Sequence, residues 1–553
     1  MGEDMTSNNP RGHLATHDVL NQPPLPGDFN LFGDPAMQSS VEFSLRRLSQ
    51  HGGPKDGLAS KHQHLAGFGQ LAGSERSREL GRLANENPPI LRAFDARGRR
   101  IDEIDYHPAY HQLMALGLDN QVASTAWTNR DAGHTSHAAL AQMMAWADTG
   151  VSCPMTMTYA VVPVLQNDEW AAKNWLPGAI AGKYDQNCVP ASEKSGLTFG
   201  MAMTEKQGGS DLRANTTRAK VSANGEAELI GHKWFCSAPM SDAFLTLAYE
   251  EAGLSCFLTP KWKPDGSRNA IEIQRLKDKM GDRSNASSEI EYRGAWAKRI
   301  GEPGRGIATI INMAHHTRFD CVSGSAAGMR KSVKLATHHV SYRTAFQRKL
   351  IDQPLMQNTL SDLALESEAA MALSFAVAAS FDAAPNSPYQ AALSRVLTPI
   401  AKYWVCKRQP SVVAEALECL GGVGFVEETG LPNLFRTSPL NSVWEGSGNV
   451  IALDIMRAMS NEKVASVFAQ DMNRIGDAIA NIRTLTDWLV ENPNADPRLF
   501  AERAAIAFAA DALPSGPLRD AWVTLRLTAP SHIWGANASQ VDRETLLARV
   551  QGW

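Results

Sequence analysis

The hydrophobic spacing of this chain changes period twice, and that change limits its architecture more than any other feature. From Arg76 to Asp148 helical patterning dominates, and the stretch HTSHAALAQMMAW over 134–146 is built from strong helix formers. From Gly196 onward the apolar runs are short: Leu229-Ile230, Phe244 to Leu247, Cys256 to Thr259, Ile271 to Ile273 and Ile290 to Tyr292. Gly, Pro, Asp and Asn clusters separate them, which is the texture of strands and turns. The glycine-rich Gly301 to Gly306 carries no following Lys-Ser or Lys-Thr and reads as a turn. After Gly306 helical spacing returns and runs to about Met459. A last stripe, Val464, Phe468, Met472, Ile475, Ile479 and Ile482, marks one apolar face of a helical tail.

The expected class is therefore α+β. We expect an extended arm over 1–40, where Asn21 to Asp28 is rich in Pro, Asn and Gly, and a helical domain over 41–195. A β domain over 196–300, a helical bundle over 301–460 and an additional helical domain over 461–553 follow. At 553 residues the chain is too long for one core. A hydrophobic share of 43% excludes disorder, and no apolar run is expected to span a bilayer, so no membrane partner is expected. The net charge of -4 gives no global attraction for polyanions. Seven cysteines without a CxxC pair argue against a disulfide framework and against zinc, and fit a reducing cytoplasm. The histidine pairs, such as His315-His316, do not share a helix face and no HExxH accompanies them, so no metal is expected.

Three segments could carry chemistry. Met203 to Asp211 (MTEKQGGSD) sets two glycines and hydroxyls between extended runs; it is either a tight hairpin or a loop whose N–H groups meet an anionic cofactor. Gly231 to Ser237 (GHKWFCS) is an aromatic strand that fills a core or lays a ring on a flat cofactor. Asn441 to Asn449 (NSVWEGSGN) places Glu445 beside Trp444 and two glycines. That suits a base in a dry pocket, and it equally suits a helix start capped by Ser447 or Asn449 with Glu445 solvated before it.

Taken in order, these segments resemble the acyl-CoA dehydrogenase family of flavoproteins. Its TEPxAGSD pattern corresponds to Thr204 to Asp211, KxWIT to Lys233 to Ser237, KxGxRxS to Lys279 to Ser284, and YEGT to Trp444 to Ser447. The resemblance implies the acyl-CoA dehydrogenase fold, with FAD between the β domain and the bundle. It implies cofactor contacts from Met203, Thr204, Gly209, Ser210, Phe235, Cys236 and Ser237 on one side. Trp444, Gly446, Ser447 and Asn449 supply the other. Arg343, and Gly421, Gly422 and Gly424, match segments that bind the FAD of a neighbouring subunit, which implies a homotetramer built as a dimer of dimers.

The implied reaction is α,β-dehydrogenation of an acyl-CoA with Glu445 as base. Thr317 occupies the position from which a subset of the family draws its base, leaving Glu445 as the only candidate. Lys206, Gly208 and Trp444 depart from the pattern, where Pro, Ala and Tyr are usual. The agreement is closest with the alkylation-response branch of the family, which implies double-stranded DNA as an alternative partner, bound near the C-terminal domain. Arg457 is the candidate DNA contact. Residues 461–553 hold nine basic against eleven acidic residues, however, where a duplex-binding surface shows basic excess.

Overall fold

The computed structural model describes residues 19–51, 58, 61–129 and 131–552; the first eighteen residues of the expected arm lie outside the described residues. Asp34 accepts the N–H of Ala36 and Pro35 follows it, so helix α1 (Pro35–Gln50) starts inside the stretch expected to be extended. Helices α2 (Gly133–Ala147) and α3 (Ser152–Gln166) are buried nearly all round, because they lie between the remaining N-terminal helices and the bundle.

One element in this region was not foreseen. Strands β1 (Ile90–Phe94) and β2 (Arg100–Asp105) form an antiparallel hairpin inside the stretch read as helical. The hairpin leans on the β domain: Arg100 donates to the carbonyl of Ile273 at 2.8 Å, and Asp102 accepts the Ile273 N–H at 3.2 Å. Its stability is tertiary, so the local sequence carries little sign of it.

The β domain holds strands β3 (Phe199–Ala202), β4 (Arg218–Val221), β5 (Glu226–Ser237), β6 (Ala243–Glu250), β7 (Gly253–Pro260), β8 (Ile271–Leu276) and β9 (Ser287–Ile300). They pair in the order β3-β6-β4-β5-β9-β7, and β6 also pairs β7, so the sheet curls back on itself. β8 adds to β9. Every apolar run singled out in the sequence lies in one of these strands.

Gly301 and Gly304 turn with positive φ, and a Cβ at Gly304 would stand 2.3 Å from the Ala252 carbonyl oxygen. That close approach seats helix α4 (Gly306–Tyr342) directly on β7. Helices α4, α5 (Pro354–Ala383) and α6 (Pro388–Glu418) pack together as the bundle. Contrary to the expectation of no such run, one helix, Pro354–Asn386, is long and apolar enough to cross a bilayer. Of that apolar window, 94% is buried inside the protein, so it is the central helix of the bundle.

The extension beyond 460 includes α8 (Glu462–Ala478) and α9 (Pro497–Ala512), while α7 (Gly448–Met459) leads into it. The stripe foreseen in the sequence is buried, and its residues join the same apolar core as the bundle. Several arginines of this region bind inward, while Arg483 pairs at the surface. Arg526 pairs with Asp362 and Glu366 of α5, Arg549 with Glu368, and Arg474 with Asp471 and Asp511. Arg503 lies over Trp488, and Arg483 pairs with Asp477 and Asp487.

Candidate functional site

The glutamate loop lies between a short helix, Leu440–Val443, and α7. Glu445 has φ +57° and Gly446 φ +103°, so two left-handed residues in succession reverse the chain. A non-glycine there carries a conformational cost of roughly 1–2 kcal/mol, and the surroundings must hold it. They do so with cations. The Lys402 ammonium of α6 donates to the carbonyls of Asn441, Trp444 and Gly446 at 2.9, 3.0 and 2.9 Å. Arg318 of α4 donates to the Glu445 carbonyl at 3.0 Å and to Asp454 at 2.9 Å, and Asp454 is gripped again by Arg395. Trp444 is fixed by its indole N–H, which donates to Asn441 at 2.8 Å.

The carboxylate that this loop presents meets α4. Thr317 donates its hydroxyl to Glu445 Oε2 at 2.7 Å. Burial raises the Glu445 pKa above the usual carboxylate range, while the Thr317 bond and the charges of Arg318 and Lys402 pull it back. Glu445 is thus part-buried and hydrogen-bonded rather than fully solvated before the helix start. Ser447 does sit at the N-cap of α7, but its side chain makes no capping bond.

In the β domain, the TEKQGGSD segment is anchored by the residues that flank it. Thr204 accepts the Trp234 N–H at 2.7 Å. Glu205 is fully buried and receives the Lys233 ammonium at 2.9 Å, together with the N–H and hydroxyl groups of Thr216 and Thr217. Lys233 also donates to the Leu247 carbonyl. These partners hold Glu205 well below the usual carboxylate range despite its burial. Glu205 and Lys233 thus tie the loop to the strand and are structural. Gly208 takes φ +131°, and a Cβ at Gly209 would meet the Thr204 hydroxyl at 2.3 Å, so both glycines are required by shape.

Phe235 leaves 49% of its surface exposed, a large share for a strand aromatic, while Cys236 beside it is buried and its thiol is pushed up to about 12. Ser237 lies 3.1 Å from the Ser287 hydroxyl. Met203 and Ser210 flank the same turn, part-buried and exposed respectively. The Lys279 to Ser284 turn joins the two halves of the site. A Cβ at Gly281 would strike Thr437, just before the glutamate loop, and Ser284 donates to Asp148 of the N-terminal domain at 2.6 Å.

Arg343 caps the far end of α4, about 39 Å from Thr317 at 1.5 Å per residue. There it donates to the Asn21 carbonyl at 2.7 Å, so it takes no part in the Glu445 site of its own chain. Gly421, Gly422 and Gly424 belong to a short, mostly exposed turn after α6, and Arg457 is an exposed residue of α7 lying 3.7 Å from Asp454. Sequence reasoning passed over Lys402, Arg318 and the roles of Glu205 and Lys233. The last two stood inside the quoted motifs and Arg318 stood directly after Thr317, while Lys402 carried no local signal.

Three family descriptions match in chain order: the adaptive response protein AidB N-terminal domain over 21–186, the acyl-CoA dehydrogenase middle domain over 200–295, and the acyl-CoA dehydrogenase C-terminal domain over 304–460. AidB of Escherichia coli (strain K12) is 44% identical over 454 residues, 81% of this chain and 82% of that protein. The chain belongs to the acyl-CoA dehydrogenase family. Acyl-CoA dehydrogenase family member 11 of Caenorhabditis elegans is 31% identical over 473 residues, 82% of this chain and 75% of its own length. The crystal structure of Caenorhabditis elegans ACDH-11 in complex with C11-CoA superposes with a TM-score of 0.81 at 25% identity, covering 97% of this chain and 94% of that one. Membership makes this chain an FAD-dependent oxidoreductase of that family. The residues fit the cofactor: a turn whose Gly208 takes a positive φ and whose Gly209 has no room for a Cβ, a half-exposed aromatic ring, and a part-buried carboxylate presented by the bundle.

Proposed function

We propose that the protein dehydrogenates an acyl-CoA thioester between its α and β carbons, with Glu445 removing the α proton. The observation that carries this reading is the Glu445 carboxylate itself, raised in basicity by burial yet steadied by one hydroxyl. When bound, FAD would supply the acceptor for the hydride of the β carbon. The chain's own part is placement and exclusion of water. Lys402 and Arg318 hold the loop so that the carboxylate projects from a fixed backbone. In this reading Gly209 and Ser210 receive the diphosphate, Thr204 and Ser237 line the ring edge, and Phe235 and Trp444 supply apolar walls. Met203, Cys236, Gly446, Ser447 and Asn449 complete the lining.

The remoteness of Arg343 from its own Glu445 supports its serving a neighbouring subunit, together with Gly421, Gly422 and Gly424, in a homotetramer. Phe346, 92% exposed on the hairpin that follows Arg343, supports the same arrangement. The fit to a cytoplasmic protein rests on seven free cysteines. Duplex DNA is the weaker alternative. The arginines beyond 460 bind partners within the chain, and among the candidates Arg457, with 77% of its side chain exposed, is the one that faces outward.

Anaerobic mixing with straight and branched acyl-CoAs tests the reading. Flavin bleaching is expected with at least one thioester, and Glu445→Gln should slow it by about 10²- to 10⁴-fold, the range for loss of a general base. Bleaching at an unchanged rate in Glu445→Gln, or none with any thioester, refutes it.

A further inference from the structure

The extension beyond residue 460 lies outside the segment that matches the acyl-CoA dehydrogenase C-terminal domain, yet it returns to the glutamate loop. Arg498, in the first turn of α9, donates to the Asn449 side-chain oxygen at 2.7 Å. Asn449 is the second residue of α7. The Arg498 guanidinium stands 5.9 Å from the centre of the Tyr403 ring, and the Lys407 ammonium stands 5.7 Å from the same ring. Lys407 also closes on the start of α7, 3.1 Å from where a Cβ of Gly448 would be.

Arg498, like Arg503, Arg519 and Arg543, differs from those arginines of the extension that hold a carboxylate, and Lys407 of α6 stands beside it. Arg474, Arg483, Arg526 and Arg549 each have a carboxylate at salt-bridge distance. Among the described residues neither Arg498 nor Lys407 has one. Their like charges stand beside one aromatic ring, and burial with the neighbouring Arg498 charge lowers the Lys407 pKa. Asp496 and Glu502 lie near the same ring without reaching either cation at salt-bridge distance, and an anion placed between the two cations would relieve their repulsion. Ser447 leaves the first N–H groups of α7 without a side-chain cap, so the same spot offers backbone donors as well.

We propose that Arg498 and Lys407 face the diphosphate of FAD, so that the extension completes the cofactor site of the core. Arg498 acts as a positioning residue through Asn449, holding that amide toward the cofactor, and contributes its charge. The inference rests on the reading that Asn449 borders FAD, and it adds two residues that no family motif contains.

The test is titration of the full-length apoprotein with FAD, followed by flavin fluorescence at 50 and 300 mM salt. Arg498→Ala and Lys407→Ala should each weaken FAD by about fivefold at low salt and flatten its salt dependence. Arg498→Lys should recover part of the affinity, because the charge remains while the forked donor is lost. Asn449→Ala separates two failures. If it weakens FAD while Arg498→Ala binds as tightly as the parent, the role of Arg498 is refuted and the Asn449 border stands. If Asn449→Ala also binds normally, the cofactor does not border this helix and the inference falls with that reading. A lowered melting temperature of the Arg498→Ala apoprotein, with equal weakening at both salt concentrations, would mark a purely structural contact and overturn the proposal.

Discussion

Replacing Thr317 by Val keeps the shape of the buried side chain and removes the only hydroxyl that donates to Glu445 among the described residues. The ionised carboxylate gains most from that bond, so its loss raises the pKa of a group already raised by burial. A hydrogen bond to a charged group contributes about 1.5–3 kcal/mol, and 1.4 kcal/mol is a factor of ten. On the acid side of the profile the ionised fraction of Glu445 should therefore fall about ten- to a hundredfold. The assay is the rate of anaerobic flavin bleaching by an acyl-CoA between pH 5 and 9. The acid limb should move toward higher pH in Thr317→Val, with the plateau above it little changed, and Thr317→Ser should behave as the parent. A limb that stays in place, or moves toward lower pH, would refute the view that this hydroxyl sets the basicity of Glu445.

Gly209→Ala puts a methyl group 2.3 Å from the Thr204 hydroxyl, so the purified variant should carry less flavin per chain, read from its absorbance ratio, with normal secondary structure by circular dichroism. Arg526→Ala leaves Asp362 and part of Glu366 without their cation; breaking such a pair costs about 3–5 kcal/mol and should lower the thermal midpoint, whereas an unchanged midpoint contradicts the reading. Burial holds His316 down to about 4, against 6.5 for a free imidazole. The unfolded chain thus takes up a proton that the folded chain refuses, and stability is lost as the pH falls from 6.5 through 4. In His316→Phe the melting temperature should fall less over that interval than in the parent.

The order of helical, strand and helical regions was legible because each change of period is a local property of the chain. Glu445 stood out in the sequence as well, beside Trp444 and just before two glycines, of which Gly446 takes a φ of +103°. The hairpin Ile90 to Asp105 was not, because charged residues dominate its second strand and its partner, Ile273, is remote in sequence. The same holds for the restraints on Glu445. Lys402 and Arg318 lie on two long helices, and nothing near either residue says which carbonyl it will find. The sequence reading of the tail foresaw one apolar stripe, and what it could not contain was the destination of that stripe on the bundle.

The shared core of bundle and extension decides how the tail can be studied. Cutting the chain near residue 460 would bare the greasy flank of Pro354–Ala383, strand Asp362 without its cation, and leave Glu366 with Arg408 and Glu368 with Arg330 in place of two partners each. A shortened protein would clump or refold, and any activity it lost, on thioester or on nucleic acid, would report that collapse. Point changes on the outer face, with the trunk left whole, are the informative surgery.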